Sequence, residues 1–281
     1  MIRQTQTWAT VSGLLLLAFL LLRPYTAYFG APEPLDRTAV AGGSTPARVD
    51  PASADSAKGA SQPVHTLGTV EDAILKLVNE ERRPRGLSPL KPEEQLSEIA
   101  RRHSEDMILR DFFAHTNPDA EAPNDRIFRQ HRRLIGLGAE NIWSGNFQSD
   151  PDALAQRIVD NWMGSPGHRE NILRSKFTHL GVGVARRDSI VMATQNFAAV
   201  KAYTNSTVPA EASSGQKLQI SASPSPSQVD FWNPDRGLKV AGPFDPASIQ
   251  VPESAGQYRI RFYFPQDGGY AIYNGPSIEV N

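Results

Sequence analysis

The densest chemical signal in the sequence is the segment Asn161-Trp162-Met163-Gly164-Ser165-Pro166-Gly167-His168-Arg169-Glu170-Asn171-Ile172-Leu173. A helical pattern runs into Ser165-Pro166-Gly167 and a second helix begins at once. Serine caps a helix N-terminus, and proline suits the first helical position, where its missing N–H costs nothing. His168 then falls in the first turn of the new helix, where the partial positive charge of the helix end lowers an imidazole's pKa. The neutral ring is the form that binds a metal or accepts a proton. Asn171, three residues on, shares the face of His168, whereas Glu170, two residues on, points away. The same residues are equally compatible with a histidine that only caps and packs.

Other chemistry-bearing residues are scattered. His115 follows Asp111-Phe112-Phe113-Ala114 and opens a polar turn toward Pro118, a place where the floor of a cleft meets solvent. Glu140 stands in Ala139-Glu140-Asn141-Ile142-Trp143 between apolar neighbours. A half-buried carboxylate needs a partner, which a histidine, a metal or one of the many arginines would supply. Gln195 and Asn196 are polar residues in an otherwise apolar strand and are expected to face a cleft. His103 lies on an apolar helical stripe, where a hydrogen-bonded buried histidine is the ordinary outcome.

The elements that must position these residues can be read from periodicity. Residues 70–83 carry Val70, Ile74, Leu77 and Val78 on one stripe, and Pro84 and Gly86 end that helix. A second helix is expected over 92–110, with Pro92 at its first position and Leu96, Ile99, Ala100 and Met107 buried. A third spans 123–133, with Ile127 and Phe128 inward and Arg126, Arg129, Arg132 and Arg133 on a solvated outer face. Glycines flank a short strand or tight turn within 136–145. A helix opened by Asp150-Pro151 leads to the first segment. Residues 181–185 and 190–197 read as an antiparallel pair around Arg186-Arg187-Asp188-Ser189. From Lys217 onward only short strands are legible, among them 257–264, whose Tyr258, Ile260, Phe262 and Phe264 alternate with Arg259, Arg261 and Tyr263.

The 281 residues exceed one average domain, and the net charge of −1 gives no sign of a broad nucleic-acid surface. With no cysteine there is no disulfide scaffold, thiol catalysis or thiolate metal site. Arg3 precedes an uncharged apolar run, 8–22, somewhat shorter than the ~20 residues of a full membrane span. It reads as a signal anchor or signal peptide, 1–25, followed by an Ala/Pro/Ser/Gly-rich tether, 26–66. The expected layout continues with a folded domain over 67–203, a linker over 204–215 and a small β-sandwich-like domain over 216–281.

The middle of the chain resembles the CAP superfamily (cysteine-rich secretory proteins, insect venom antigens and plant pathogenesis-related proteins), in particular its bacterial secreted branch. The resemblance is carried by Ala100-Arg101-Arg102-His103-Ser104-Glu105-Asp106-Met107, Phe113-Ala114-His115, Ala139-Glu140-Asn141-Ile142, the Trp162–Leu173 stretch, Gly181-Val182-Gly183-Val184 and Thr194-Gln195-Asn196-Phe197, in the family's order. It implies an α+β fold, an α-β-α sandwich, followed here by the small all-β region outside the resemblance. It also implies a central cleft in which two histidines and two acidic residues can hold a divalent metal. His115, Glu140 and His168 match three of those positions. Ser165 stands near the place of the second acid, with Asp160 on the other side of Trp162, so the set is incomplete. Two imidazoles and a carboxylate would still suit zinc with an open fourth position.

The expectation is therefore an exported, membrane-tethered ligand-binding module without catalytic residues. Its metal would be held by His115, Glu140 and His168, and its cleft lined by Asn171, Gln195 and Ser165. The partner expected is a lipid, an envelope polymer or a protein. The alternative is a metal-dependent hydrolase of envelope polymer or peptide. Against it stand the lack of a His-Glu-x-x-His motif and of a carboxylate securely placed as general base.

Overall fold

Val70, Ile74 and Val78 recur at helical spacing, and all three are buried on the face that a 15-residue helix turns inward. In this computed structural model, which describes residues 63–233, 238–240 and 248–281, that helix is α1 (Gly68–Arg82). It is followed by α2 (Glu94–Leu109), α3 (Pro123–Gln130), α4 (Pro151–Gly164) and α5 (Pro166–Leu173). The strands that matter for the site are β1 (Leu134–Asn146), β2 (His179–Arg187) and β3 (Ile190–Thr204). They are followed by β4 (Gln228–Asn233), β5 (Leu238–Val240), β6 (Gly256–Gln266) and β7 (Gly269–Val280). The signal segment and nearly all of the tether expected from sequence lie outside the described residues. Among the described residues no helix is long and apolar enough to cross a membrane.

The sheet runs β2-β3-β1-β7-β6-β4-β5, antiparallel between each of these neighbours. One core joins α1, α4 and Ile172 of α5 to Val182, Val184, Val191, Ala193 and Phe197 on one face. A second joins Leu96 and Ile99 of α2 and Ile127 and Phe128 of α3 to Leu134 and Ala198 on the other. The result is the expected α-β-α sandwich. Trp162 and Phe197, both essentially buried, each contribute on the order of 2–3 kcal/mol by leaving water.

Three local readings are corrected. Pro92 does not open α2. Lys91–Pro92 forms a short parallel strand with His179 and Leu180, and Glu93 caps α2 by accepting from the Leu96 N–H at 2.8 Å. The ladder bonds come from the neighbours, Lys91 N–H to Thr178 and Glu93 N–H to Leu180, so the N–H that proline lacks is not needed. The short element expected within 136–145 is the 13-residue strand β1, paired along its length with β3. The outer face of α3 is not uniformly solvated, because Arg126 is buried.

The strands beyond Lys217 build a further core around Val229, Phe231, Ile260 and Phe262, which also takes in Ile135 of β1 and Ala202 of β3. They are joined to the first sheet where Asn274 of β7 faces Gly136 of β1. The stretch expected as a linker is packed rather than free: Val208 and Ala212 are buried, and Glu211–Ala212 pairs with β7. Arg132 donates to the carbonyls of Val208 (3.1 Å) and Ser277 (2.6 Å), and Arg259 of β6 reaches Asp125 of α3 at 2.6 Å.

The motif Gly181-Val182-Gly183-Val184 has a steric cause. Val182 and Val184 face the α1/α4 core, and the glycines let the α2 backbone lie directly on β2. A Cβ at Gly183 would fall 2.0 Å from the Arg101 nitrogen, and one at Gly181 2.2 Å from the Leu96 carbonyl carbon. A Cβ at Gly164, at the end of α4, meets nothing. Gly183→Ala is therefore expected to lose at least about 3 kcal/mol of unfolding free energy in urea titration. Gly164→Ala in the same assay is expected to be neutral or to gain up to about 1 kcal/mol.

Candidate functional site

Glu140 sits in the middle of β1, and its side chain is only 1% exposed. Such a carboxylate must be answered by charge and by hydrogen bonds. Arg126 of α3 donates to Oε2 at 2.7 Å, and Nδ1 of His115 lies 2.9 Å from Oε1. A carboxylate oxygen accepts, so the proton is on Nδ1 and the His115 ring turns Nε2 away from Glu140. Nε2 of His103 lies 3.9 Å from the same Oε1 but bonds the Ala114 carbonyl at 3.1 Å.

The loop carrying His115 is built around these contacts. Arg126 also donates to the carbonyls of His115 (2.8 Å) and Glu121 (2.7 Å), so one guanidinium holds both the carboxylate and the loop. Buried Asn117 closes the turn: its Oδ1 accepts from the N–H groups of Asp119 and Glu121, and its Nδ2 donates to the Glu121 carboxylate. His115 is left 34% exposed at the rim.

His168 reaches the site from the other side. It lies in the first turn of α5 and is half-buried, and the Asn141 side chain donates to its carbonyl at 3.1 Å. Asn141 also donates to Gln195, and Asn171 donates to both the Asn141 side chain and the Glu140 carbonyl. An amide ladder thus ties α5 to the two residues at the centre of β1. Behind it, fully buried Arg82 donates to the carbonyls of Ile172 (2.6 Å) and Arg174 (3.1 Å), a cation at the negative end of α5. Burial, reinforced by the neighbouring His115, holds the His168 pKa below the ordinary imidazole range. That ring is neutral at physiological pH.

The structure thus draws His115, Glu140 and Asn171 into one network and brings His168 beside it. Gln195 is fully buried behind Asn141 rather than open to a cleft, and Asn196 is buried with its side chain donating to the Leu96 carbonyl. Ser165 occupies the N-cap of α5, but its hydroxyl makes no capping bond. Asp160 is exposed and accepts from Gln156, away from the network. Arg126, unmarked in the sequence among four similar arginines, is the partner that decides the state of Glu140.

Of the three residues expected to hold zinc, Glu140 is not free to serve as a direct ligand as arranged. Both Glu140 oxygens are engaged, one by a guanidinium that cannot lose its proton, so a divalent cation there would face an adjacent positive charge. Among the described residues no group of three or more His, Asp or Glu side chains is placed to hold a metal ion.

Comparison with known proteins agrees with the fold and the motifs. The family model for the cysteine-rich secretory protein family, CAP, matches residues 75–197. This part of the chain is a CAP domain. An uncharacterized protein of Bacillus subtilis, YkwD, is 35% identical over 140 residues, 50% of this chain and 52% of its own length. An uncharacterized membrane protein of the same organism, YlbC, is 38% identical over 129 residues, 46% of this chain and 34% of its own length. The chain thus spans about half or less of the curated relatives it matches. The crystal structure of an extracellular protein with an SCP domain from Bacillus anthracis is 32% identical, covers 47% of this chain and 40% of its own, and has a TM-score of 0.41. The CAP match ends at 197, and the packed β-layer beyond it lies outside that match.

Burial lowers the His103 pKa to about 4, against an ordinary 6.5. Its ring is neutral when folded and takes a proton on unfolding between those values. The unfolded state then binds more protons, so stability is complete above about pH 6.5 and falls as pH drops toward about 4. His103→Gln, which removes the titrating ring, is expected to flatten that fall in urea midpoints measured across the window.

Proposed function

We propose that this chain is an exported, membrane-tethered binding protein whose CAP domain takes an envelope polymer at the face between His115 and His168. The observation that carries the reading is the full engagement of Glu140. Held by Arg126 and His115, it is not free to act as a general base or metal ligand, so it serves to fix the His115 ring. Fixed in this way, the ring turns Nε2 away from Glu140 on a side chain that is 34% exposed. Beside it burial holds the His168 pKa below the ordinary imidazole range. Two imidazoles on a rigid amide-linked frame suit the hydroxyl and amide groups that polysaccharide and peptide polymers carry in abundance. Export and tethering rest on the apolar run at 8–22 and the low-complexity stretch behind it, and a relative described as a membrane protein agrees with that placement.

The test is co-sedimentation of the detergent-solubilised full chain with purified peptidoglycan sacculi, and with lipid vesicles in parallel. The protein is expected to pellet with sacculi, and His115→Ala, checked for folding by circular dichroism, to weaken that binding about tenfold. Sedimentation with vesicles only, or equal binding by His115→Ala, would contradict the proposal.

A further inference from the structure

The three central strands end together. Asn146 of β1 and Arg187 of β2 both pair with Ile190 of β3, and the Phe147 N–H bonds the Ser189 carbonyl at 2.7 Å. Helix α2 runs in the same direction as β2: its backbone passes Gly181 at Leu96 and Gly183 at Arg101, and Ser104 donates to the Gly183 carbonyl at 2.9 Å. Its last turn therefore points toward the β2–β3 turn. At this end large apolar side chains are left in water. Leu109 closes α2 and is 63% exposed, and Ile190 opens β3 and is 43% exposed. Phe113, on the loop leaving α2, is 52% exposed.

That loop holds Phe113 outward. Asp111 takes a left-handed backbone conformation (φ 52°), the Phe112 N–H bonds the Met107 carbonyl, and the Phe112 ring packs 5.9 Å from that of His103. The Ala114 carbonyl is in turn held by His103. The inward place is thus taken by Phe112. Several large apolar groups gathered at one end of a domain mark a surface that meets something.

The same end receives the chain from its N-terminal side. The short strand His65–Thr66 pairs with Arg186 and Ala185 at the close of β2. The apolar run at 8–22 is therefore joined to the domain here. Attachment through one chain raises the effective concentration of this end at a bilayer, so a few side chains suffice. Leu109, Ile190 and Phe113 expose on the order of 300 Å² together, short of the ~800 Å² each partner gives to a stable protein interface. Charge does not select the partner, because Arg186 and Arg187 stand beside exposed Asp111 and Asp188. The Arg186 guanidinium lies 3.4 Å over the Phe147 ring, and both kinds of side chain are at home at the headgroup level of a membrane.

We propose that this end of the domain rests on the lipid bilayer, with Leu109 and Ile190 entering its interface and Phe113 at the margin toward the His115 loop. The inference rests on the membrane-tethered reading and adds to it the face that the domain turns to the membrane.

The chain has no cysteine, so single cysteines can carry a fluorescent label without background. The full chain with Leu109→Cys, Ile190→Cys or Ile272→Cys is labelled with nitrobenzoxadiazole and reconstituted into phosphatidylcholine vesicles whose acyl chains bear nitroxide quenchers. Ile272 is the reference: it is exposed like Ile190 but lies on β7, which meets β1 at Gly136, the end of that strand remote from Asn146. Flotation with the vesicles reads attachment, and quenching reads docking. All three proteins are expected to float, with labels at 109 and 190 losing emission and the label at 272 keeping it. Leu109→Glu added to Ile190→Cys, at an exposed position where folding is not at stake, should restore the emission while the protein still floats. Flotation without quenching at 109 and 190, equal quenching at 272, or quenching that survives Leu109→Glu would overturn the docking inference and leave tethering standing. Quenching that needs added phosphatidylglycerol and vanishes in high salt would overturn it as well, by assigning the contact to charge. Failure to float would remove the tethering reading and this inference with it.

Discussion

A carboxylate in the interior is tolerable only if its surroundings answer it, and in this protein the answer fixes the site. Glu140 lies at the centre of β1 with almost no exposed surface, and three separate elements converge on it. Helix α3 sends Arg126, the loop after α2 sends His115, and α5 sends Asn171 to its backbone carbonyl. Removing the ion pair would leave a buried charge rather than a harmless gap. The loop conformation, the tautomer of His115 and the seat of α5 therefore follow from one charge.

The layers around the sheet extend this dependence. Gly181 and Gly183 bring α2 onto β2, which places His103 near Glu140 and aims the end of α2 at the His115 loop. The C-terminal strands reach the same centre indirectly. Arg259 of β6 pairs with Asp125 of α3, and Asp125 in turn accepts from the Ala122 N–H at the start of that helix. The helix bearing Arg126 is thus held at its first turn by strands outside the CAP match. This gives the β-layer a physical part in the site without supplying a residue to it.

Much of this was legible in the chain itself. The apolar stripes of α1 and α4 are buried as their spacing implies, and the strand pair around Arg186–Ser189 follows from alternation and turn chemistry. His115, Glu140 and His168 stand out by motif, and the structure gathers them to one region. What could not be read was tertiary. Arg126, Arg129, Arg132 and Arg133 look alike in sequence, and only Glu140 across the sheet makes one of them a buried counter-ion. Pro92 obeyed a remote pairing with Leu180 rather than the local preference for a helix start. Residues 204–215 looked like a linker because their pairing partner, β7, lies some seventy positions away. Glu140 is not the free carboxylate the expected metal set assumed, for the same reason that the face of α3 is not solvated: the arginine and the carboxylate found each other.

The most direct test of this account is a double-mutant cycle on Arg126→Met and Glu140→Gln, read as unfolding free energy in urea. The account predicts that Arg126→Met alone costs about 3–5 kcal/mol, by stranding a buried carboxylate, and that the double variant recovers much of that loss. Costs that simply add within about 0.5 kcal/mol would show that the pair is not what holds the site together.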